Sequence, residues 1–314
     1  MIVAIVGASE DIVSKLCQKQ LDVFFLPRGS NNCQELKALN PEVLICRNRD
    51  NIAQFVDDCP NLRFIFILEV GLERLPFATL QAHKIRVANT SGISADVMSN
   101  YAMACILNHA ARLSENLLNQ QNHFWKKYQC TDGLSGKTLL IVGAGRTGKM
   151  IAEKARVFGM RTLGVVHSAR PIVFFDEIGT LDDLDVFLSQ ADYVICVLPL
   201  TPETNHIFSQ RRFAQMKPKA VFINMSRGAL IDEEDLLSAV DAHQIAKAYL
   251  DVFEEEPLPY DHAFWRHGDI MISPHQSGRL EDYMDRALEM FLQNYRAYQS
   301  GSVMPNEVNL ERGY

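Results

Sequence analysis

Arg227, Glu256 and His275 stand at or just past the ends of apolar, β-branched runs: Arg227 follows FINMS, Glu256 follows LDVFEE, and His275 closes IMISP. In open parallel sheets, ligands bind at the carboxyl ends of the strands. An arginine there grips a carboxylate through two parallel hydrogen bonds and polarises an adjacent carbonyl. A histidine titrates near neutrality and can give a proton to an oxygen that forms as hydride arrives. A glutamate within reach of the other ring nitrogen holds the tautomer and favours the protonated form. Together the three suit the reduction of a 2-oxo acid. Singly, each has a plainer role: Arg227 as a strand-end cap, Glu256 as part of the solvated run Glu254-Glu255-Glu256, and His275 as a satisfied core or capping histidine. Asp232, in LIDEEDLL, reads as a helix N-cap with acids in the first turn.

A hydride needs a donor, and the chain carries a loop suited to hold one. Gly143-Ala144-Gly145-Arg146-Thr147-Gly148 follows the run TLLIV and opens a helix-like stretch of about Lys149 to Phe158. In that strand-loop-helix setting the first glycine permits the tight turn, the second lets the backbone approach a pyrophosphate, and the third lets the helix pack on the sheet, its N–H groups facing the anion. Gly143, Gly145, Arg146, Thr147 and Gly148 are therefore candidate coenzyme-binding residues. The next strand should end in an acidic residue for NAD. It ends instead at His167, 19 positions beyond Gly148, followed by Ser168-Ala169-Arg170. A hydroxyl and a cation suit a 2′-phosphate that an acidic residue would repel, so NADP(H) is expected over NAD(H), with Ser168 and Arg170 as its contacts.

The elements that must position these residues alternate β-branched runs with helix-like stretches, the pattern of βα units around parallel sheets, which makes the fold α/β. Strands are expected near 2–7, 22–26, 43–46, 64–68 and 86–89, then a long helical stretch from Ile93 to about Gln121 with an apolar stripe through Ala95, Met98, Tyr101, Ala102, Cys105 and Ile106. A second series follows near 138–145, 161–167, 193–198, 220–225, 246–252 and 270–275, and a final helix at about Leu280 to Tyr298. A second domain inserted into the first is the organisation this order implies.

Composition narrows the class. At 314 residues, 47% hydrophobic and 22% charged, the chain is a globular protein with room for two medium domains. Its 31 basic and 38 acidic residues give a net charge of −7 without a long basic run, which argues against nucleic-acid or anionic-membrane partners. No stretch approaches a membrane span, and the start has neither a basic leader nor a long apolar region, so a cytoplasmic location is expected. The cysteines at 17, 33, 46, 59, 105, 130 and 196 contain no C-x-x-C pair; neither a disulfide framework nor a metal site is expected.

Several long stretches, in order, resemble the D-isomer-specific 2-hydroxyacid dehydrogenases: ANTSGISADVMSNYAMACIL (88–107), LSGKTLLIVGAGRTGKMIAEKARVFGM (134–160), VLPLTPETNHIF (197–208), MKPKAVFINMSRGALIDEEDLLSAV (216–240), LDVFEEEPLP (250–259) and ISPHQSG (272–278). The resemblance spans nearly the whole chain. By it, Arg227, Glu256 and His275 take the places of the family's catalytic residues. Asp251 matches an aspartate near the nicotinamide carboxamide, and Leu198, Pro199 and Thr204 match the coenzyme loop. Val70 and Gly71 correspond to the segment whose N–H groups, with Arg227, hold the substrate carboxylate. Where many members carry a serine or similar small residue before that Val-Gly, this chain has Glu69.

The family fold implies two Rossmann-like domains with parallel sheets and the active site in the cleft between them. Residues 1–97 plus 281–314 would form a flavodoxin-like substrate domain and 98–280 the dinucleotide-binding domain. It also implies a homodimer joined through the long helical region. Length and the ending NLERGY look most like the glyoxylate/hydroxypyruvate reductase branch, whose substrates are small 2-oxo acids. Two other functions compete: a phosphoglycerate dehydrogenase, disfavoured by Glu69 and Glu73 where a phosphate wants cations, and a dinucleotide-sensing protein with little turnover. Trp125 and Arg47 are further candidates to line a pocket, against core packing for the first and a surface role for the second.

Overall fold

The computed structural model describes residues 2–7, 23–26, 32–127 and 130–313. Cys17, and Asp22 at the start of the second expected strand, lie outside the described residues. The chain divides into two compact units, Met1–Ile93 with Leu280–Tyr314, and Ser94–Arg279.

The first unit contains β1 (Val3–Val6), β2 (Val23–Leu26), α1 (Asn32–Leu39), β3 (Val43–Cys46), α2 (Ile52–Asp58), β4 (Phe64–Ile67), α3 (Phe77–Ala82) and β5 (Arg86–Asn89). Its five strands are parallel in the order β2-β1-β3-β4-β5. VAIV, VLIC and FIFI are buried at every position, as central strands covered on both faces must be. Alternate side chains build two cores: Ala4, Val6, Leu44, Cys46, Ile65 and Ile67 on one face, and Val3, Ile5, Val43, Ile45, Phe64 and Phe66 on the other.

The second unit contains α4 (Ala95–Ala111), α5 (Leu113–Gln121), β6 (Thr138–Val142), α6 (Arg146–Val157), β7 (Arg161–Val165), β8 (Glu177–Gly179), α7 (Leu184–Gln190), β9 (Tyr193–Cys196), α8 (Gln210–Phe213), β10 (Val221–Asn224), α9 (Glu233–Asp241), β11 (Lys247–Leu250) and β12 (Ile270–Ile272). Its seven-stranded sheet, β12-β11-β10-β9-β6-β7-β8, is parallel throughout, with the order reversing between β6 and β9. Ala102, Cys105 and Ile106 of α4 pack with Ile151, Ala152 and Ala155 of α6 over one face of it. α10 (Tyr283–Gln299) belongs to the first unit, where Phe291 stacks on Phe64 at 6.4 Å and meets Phe66 edge-on at 5.5 Å.

The expected helical stretch from Ile93 to Gln121 is two helices. Arg112 adopts φ 53°, ψ 38°, and the Asn108 side chain accepts from the Ser114 N–H at 2.9 Å, capping the restart. An asparagine placed to take a backbone donor thus outcompetes continuation of the helix. β8 was not expected: it has three residues and a mixed burial pattern, too short for periodicity to reveal. α6 begins at Arg146 rather than Lys149, and β7 ends at Val165, two residues before His167. Asp232 caps α9 as expected, accepting from the Asp235 N–H at 3.0 Å. Among the described residues, no helix is long and apolar enough to cross a membrane.

Candidate active site

The glycine loop joins β6 to α6 in the second unit. Gly143 holds φ 114°, and a Cβ there would fall 2.6 Å from the Val197 carbonyl oxygen. A Cβ on Gly148 would fall 2.3 Å from the Gly143 carbonyl oxygen, so helix and loop approach too closely for any side chain. Gly145 caps α6, and a Cβ built on it would meet nothing within 4 Å. The cradle is closed on the protein side and open at the middle glycine, the face where a pyrophosphate would lie against the N-terminus of α6. The residues present therefore fit a dinucleotide. Gly145 and Arg146 are exposed, and Thr147 is half-buried.

Beyond β7, Ser168 and Arg170 are exposed, and the Ser168 hydroxyl lies 3.1 Å from His167 Nδ1. Arg170 makes no ion pair among the described residues. No carboxylate occupies the turn from Val166 to Arg170. After β9, Leu198 is buried and Pro199 exposed. The Thr204 hydroxyl accepts from the Thr201 N–H at 2.8 Å and donates to the Pro199 carbonyl at 2.8 Å, shaping its own loop.

His275 and Glu256 are brought together: Nδ1 lies 2.8 Å from Glu256 Oε2. A carboxylate only accepts, so Nδ1 carries the proton and Nε2 is the nitrogen left for a reacting oxygen. The other Glu256 oxygen accepts from the Phe253 N–H at 3.1 Å, which orients the carboxylate. His275 holds φ 48°, uncommon for a side-chain-bearing residue, and its N–H donates to the Asp251 carbonyl at 2.8 Å.

Asp251 directly follows β11, fully buried, and its carboxylate organises the histidine loop. Oδ1 accepts from the Ser273 hydroxyl at 2.5 Å and the Gln276 N–H at 2.9 Å; Oδ2 accepts from the Ser277 N–H at 2.8 Å. Tyr101 of α4 reaches the same Ser273 hydroxyl at 2.5 Å, and burial pushes its phenol well above the usual range. The structure thus places Asp251 beneath the loop that carries His275.

Arg227 follows β10 on an extended residue, half-buried, its Nη1 donating to the Ser226 carbonyl at 2.7 Å. Asn224 Nδ2 holds the Arg227 carbonyl at 2.9 Å, and the Ser226 hydroxyl donates to the Leu198 carbonyl. Gly228 presses this loop onto the next one: a Cβ there would fall 1.9 Å from the Phe253 carbonyl carbon and 2.2 Å from the Glu254 nitrogen. The arginine loop and the Phe253–Glu256 turn can therefore lie backbone to backbone. Sequence reasoning passed over Gly228, Ser273 and Tyr101. The glycine directly after Arg227 was a usable signal, whereas the other two become relevant only through the sheet order.

In the first unit, Val70 is exposed and Gly71 half-buried, just beyond β4. The Val70 carbonyl accepts from Asn89 Nδ2 at 2.9 Å. Arg47, beyond β3, is partly buried rather than a free surface residue, and Trp125 is 89% exposed, which excludes core packing for it.

Residues 103–277 match the sequence profile of "D-isomer specific 2-hydroxyacid dehydrogenase, NAD binding domain", a span inside the second unit. The chain is similar to the glyoxylate reductase of Thermococcus litoralis, 32% identical over 265 residues that cover 82% of this chain and 80% of that protein. It is also similar to the glyoxylate reductase/hydroxypyruvate reductase of Mus musculus, 32% identical over 85% of this chain and 84% of that one. Among solved structures, a D-isomer specific 2-hydroxyacid dehydrogenase family protein from Aeromonas salmonicida subsp. salmonicida superposes with a TM-score of 0.81, at 29% identity and 98% coverage of both chains. Glycine cradle, paired histidine and glutamate, and matches along most of the length agree: this chain belongs to the D-isomer-specific 2-hydroxyacid dehydrogenase family.

Proposed function

We propose that this protein reduces a small 2-oxo acid of the glyoxylate or hydroxypyruvate type to the D-2-hydroxy acid, with NADPH favoured over NADH. The observation that carries the reading is the 2.8 Å contact between Glu256 and His275 Nδ1, on a loop pinned by buried Asp251, in the sheet that also carries the glycine cradle. The names of the Thermococcus litoralis and Mus musculus relatives support the substrate class.

A bound nicotinamide supplies the hydride for C2. The chain's own residues do the rest: Arg227, with the N–H groups of Val70 and Gly71, grips the substrate carboxylate. His275, as the imidazolium, gives its Nε2 proton to the C2 oxygen, and Glu256, accepting from Nδ1–H, orients the ring and supports its charge. Gly143, Gly145, Arg146, Thr147 and Gly148 hold the pyrophosphate, and Leu198, Pro199, Thr204 and Asp251 line or shape the coenzyme site. Exposed Ser168 and Arg170, in a turn without a carboxylate, support recognition of a 2′-phosphate. In this reading the first unit is the substrate domain and the second the coenzyme domain, and the protein is a homodimer.

The test follows absorbance at 340 nm with NADPH and with NADH against glyoxylate and hydroxypyruvate. Turnover favouring NADPH is the expected result; a higher kcat/KM with NADH would refute the coenzyme preference. His275→Ala should lower kcat by about 10² to 10⁴ while leaving NADPH binding nearly intact, the signature of a lost general acid. Undiminished turnover in that variant would overturn the assignment.

A further inference from the structure

We infer that the contact between Arg47 and Glu69 selects 2-oxo acids whose remaining C2 substituent is hydrogen or a neutral group such as hydroxymethyl, and rejects those with a second anionic group. The inference rests on the reduction proposed above. Arg47 begins the loop after β3 and Glu69 follows β4, and these strands are neighbours, with Cys46 paired to Ile67. In the order β2-β1-β3-β4-β5 the strand order reverses between β1 and β3, and ligands bind such sheets outside the carboxyl ends of the strands near that point. Both residues therefore stand on the ligand side of the first unit, one of them directly before Val70 and Gly71.

Arg47 Nη1 lies 3.5 Å from Glu69 Oε1, and Glu69 Oε2 accepts from the Asn48 N–H at 2.6 Å. Their side chains are 29% and 33% exposed, so water screens the pair only in part. Glu69 thus neutralises the guanidinium that would otherwise attract a distal phosphate or carboxylate. Around the pair, over residues 47–51 and 69–74, Arg47, Arg49 and Arg74 are matched by Asp50, Glu69 and Glu73. No cation is in surplus, and a second anion entering here loses hydration without gaining a counter-charge.

The test compares kcat/KM for glyoxylate and hydroxypyruvate with that for phosphohydroxypyruvate and oxaloacetate, in the wild-type protein and in Glu69→Gln. The expected wild-type preference for the singly charged acids is about tenfold or more, and Glu69→Gln should narrow it by about tenfold, since it removes one charge and releases Arg47. Equal kcat/KM for all four acids in the wild type, or an unchanged ratio in folded Glu69→Gln, overturns the inference while leaving the reductase reading intact. Should Glu69→Gln fail to fold, Arg47→Gln must widen the gap, because it leaves Glu69 uncompensated; an unchanged gap there also overturns it. A protein that oxidises neither coenzyme with any of the four acids overturns the reductase reading itself, and the inference falls with it.

Discussion

Gly228 shows how tightly single residues constrain this site. Its absent Cβ leaves the arginine loop in contact with the backbone of Phe253 and Glu254, two residues before the glutamate that holds His275. Because the obstacle is backbone and not a flexible side chain, Gly228→Ala must push the two loops apart. We expect a loss of about 3 kcal/mol or more in stability, as for severe overpacking, and a fall in kcat/KM from misplacement of Arg227 and Glu256. Chemical denaturation and steady-state kinetics on the same variant check this; wild-type stability and turnover would show that the backbone yields without cost. The thiols illustrate the opposite case of residues removed from chemistry. Burial raises Cys59 to about 11 and Cys105 and Cys196 to about 12, so these side chains stay protonated at neutral pH.

At the scale of elements, α4 supplies both packing and a titrating group. Its His109 ring meets Tyr193 edge-on at 5.9 Å, and burial, reinforced by Lys247, holds its pKa below the ordinary value of 6.5. A pKa lowered in the folded state means that the unfolded chain takes up the proton first as pH falls. The corresponding stability is fully present above pH 6.5 and is lost as pH drops below that value toward the folded pKa. His109→Gln should therefore flatten the decline in Tm between pH 6.5 and about pH 5, measured by thermal denaturation against wild type. Identical slopes would show that other groups set the acid limit. The long helical stretch itself was legible as an apolar stripe, but its interruption at Arg112 was not. That break depends on an Asn108 side chain that turns back to cap Ser114, a choice that hydrophobic periodicity does not record.

For the whole molecule, α5 and the segment after it carry apolar surface that nothing within the described residues covers. Leu113, Leu117, Leu118, Phe124 and Trp125 are between 55% and 89% exposed, a concentration of large apolar side chains on a short stretch of the second unit. Contiguous exposed apolar surface of this kind is the mark of an association site, and it falls on the region through which the family resemblance implies a dimer. Leu117→Asp with Leu118→Asp should halve the mass measured by size-exclusion chromatography with light scattering. A monomeric wild-type protein would remove the dimer from the proposal. Elsewhere the chain closes on itself: α10 and the segment behind it return to the first sheet, where Arg86 Nε meets Glu307 at 2.7 Å and Val308 N–H donates to the Val87 carbonyl at 2.8 Å.

Local signals determined much of this protein. Continuous β-branched runs bounded by loop residues marked eleven strands of two parallel sheets, and the glycines at 143, 145 and 148 marked the loop, of which Gly143 and Gly148 leave no room for a side chain. Arg227, Glu256 and His275 were visible because each follows a strand, and strand ends in parallel sheets face ligands. Tertiary structure decided which of these side chains meet. Nineteen residues separate Glu256 from His275, and 22 separate Arg47 from Glu69. Their contacts exist because β11 lies beside β12 and β3 beside β4. The burial of Asp251 beneath the histidine loop, and the contact of Gly228 with the backbone of Phe253, arise in the same way from sheet order and close packing. Hydrophobic periodicity reports which face of an element is buried; it carries no information about the neighbour that will bury it.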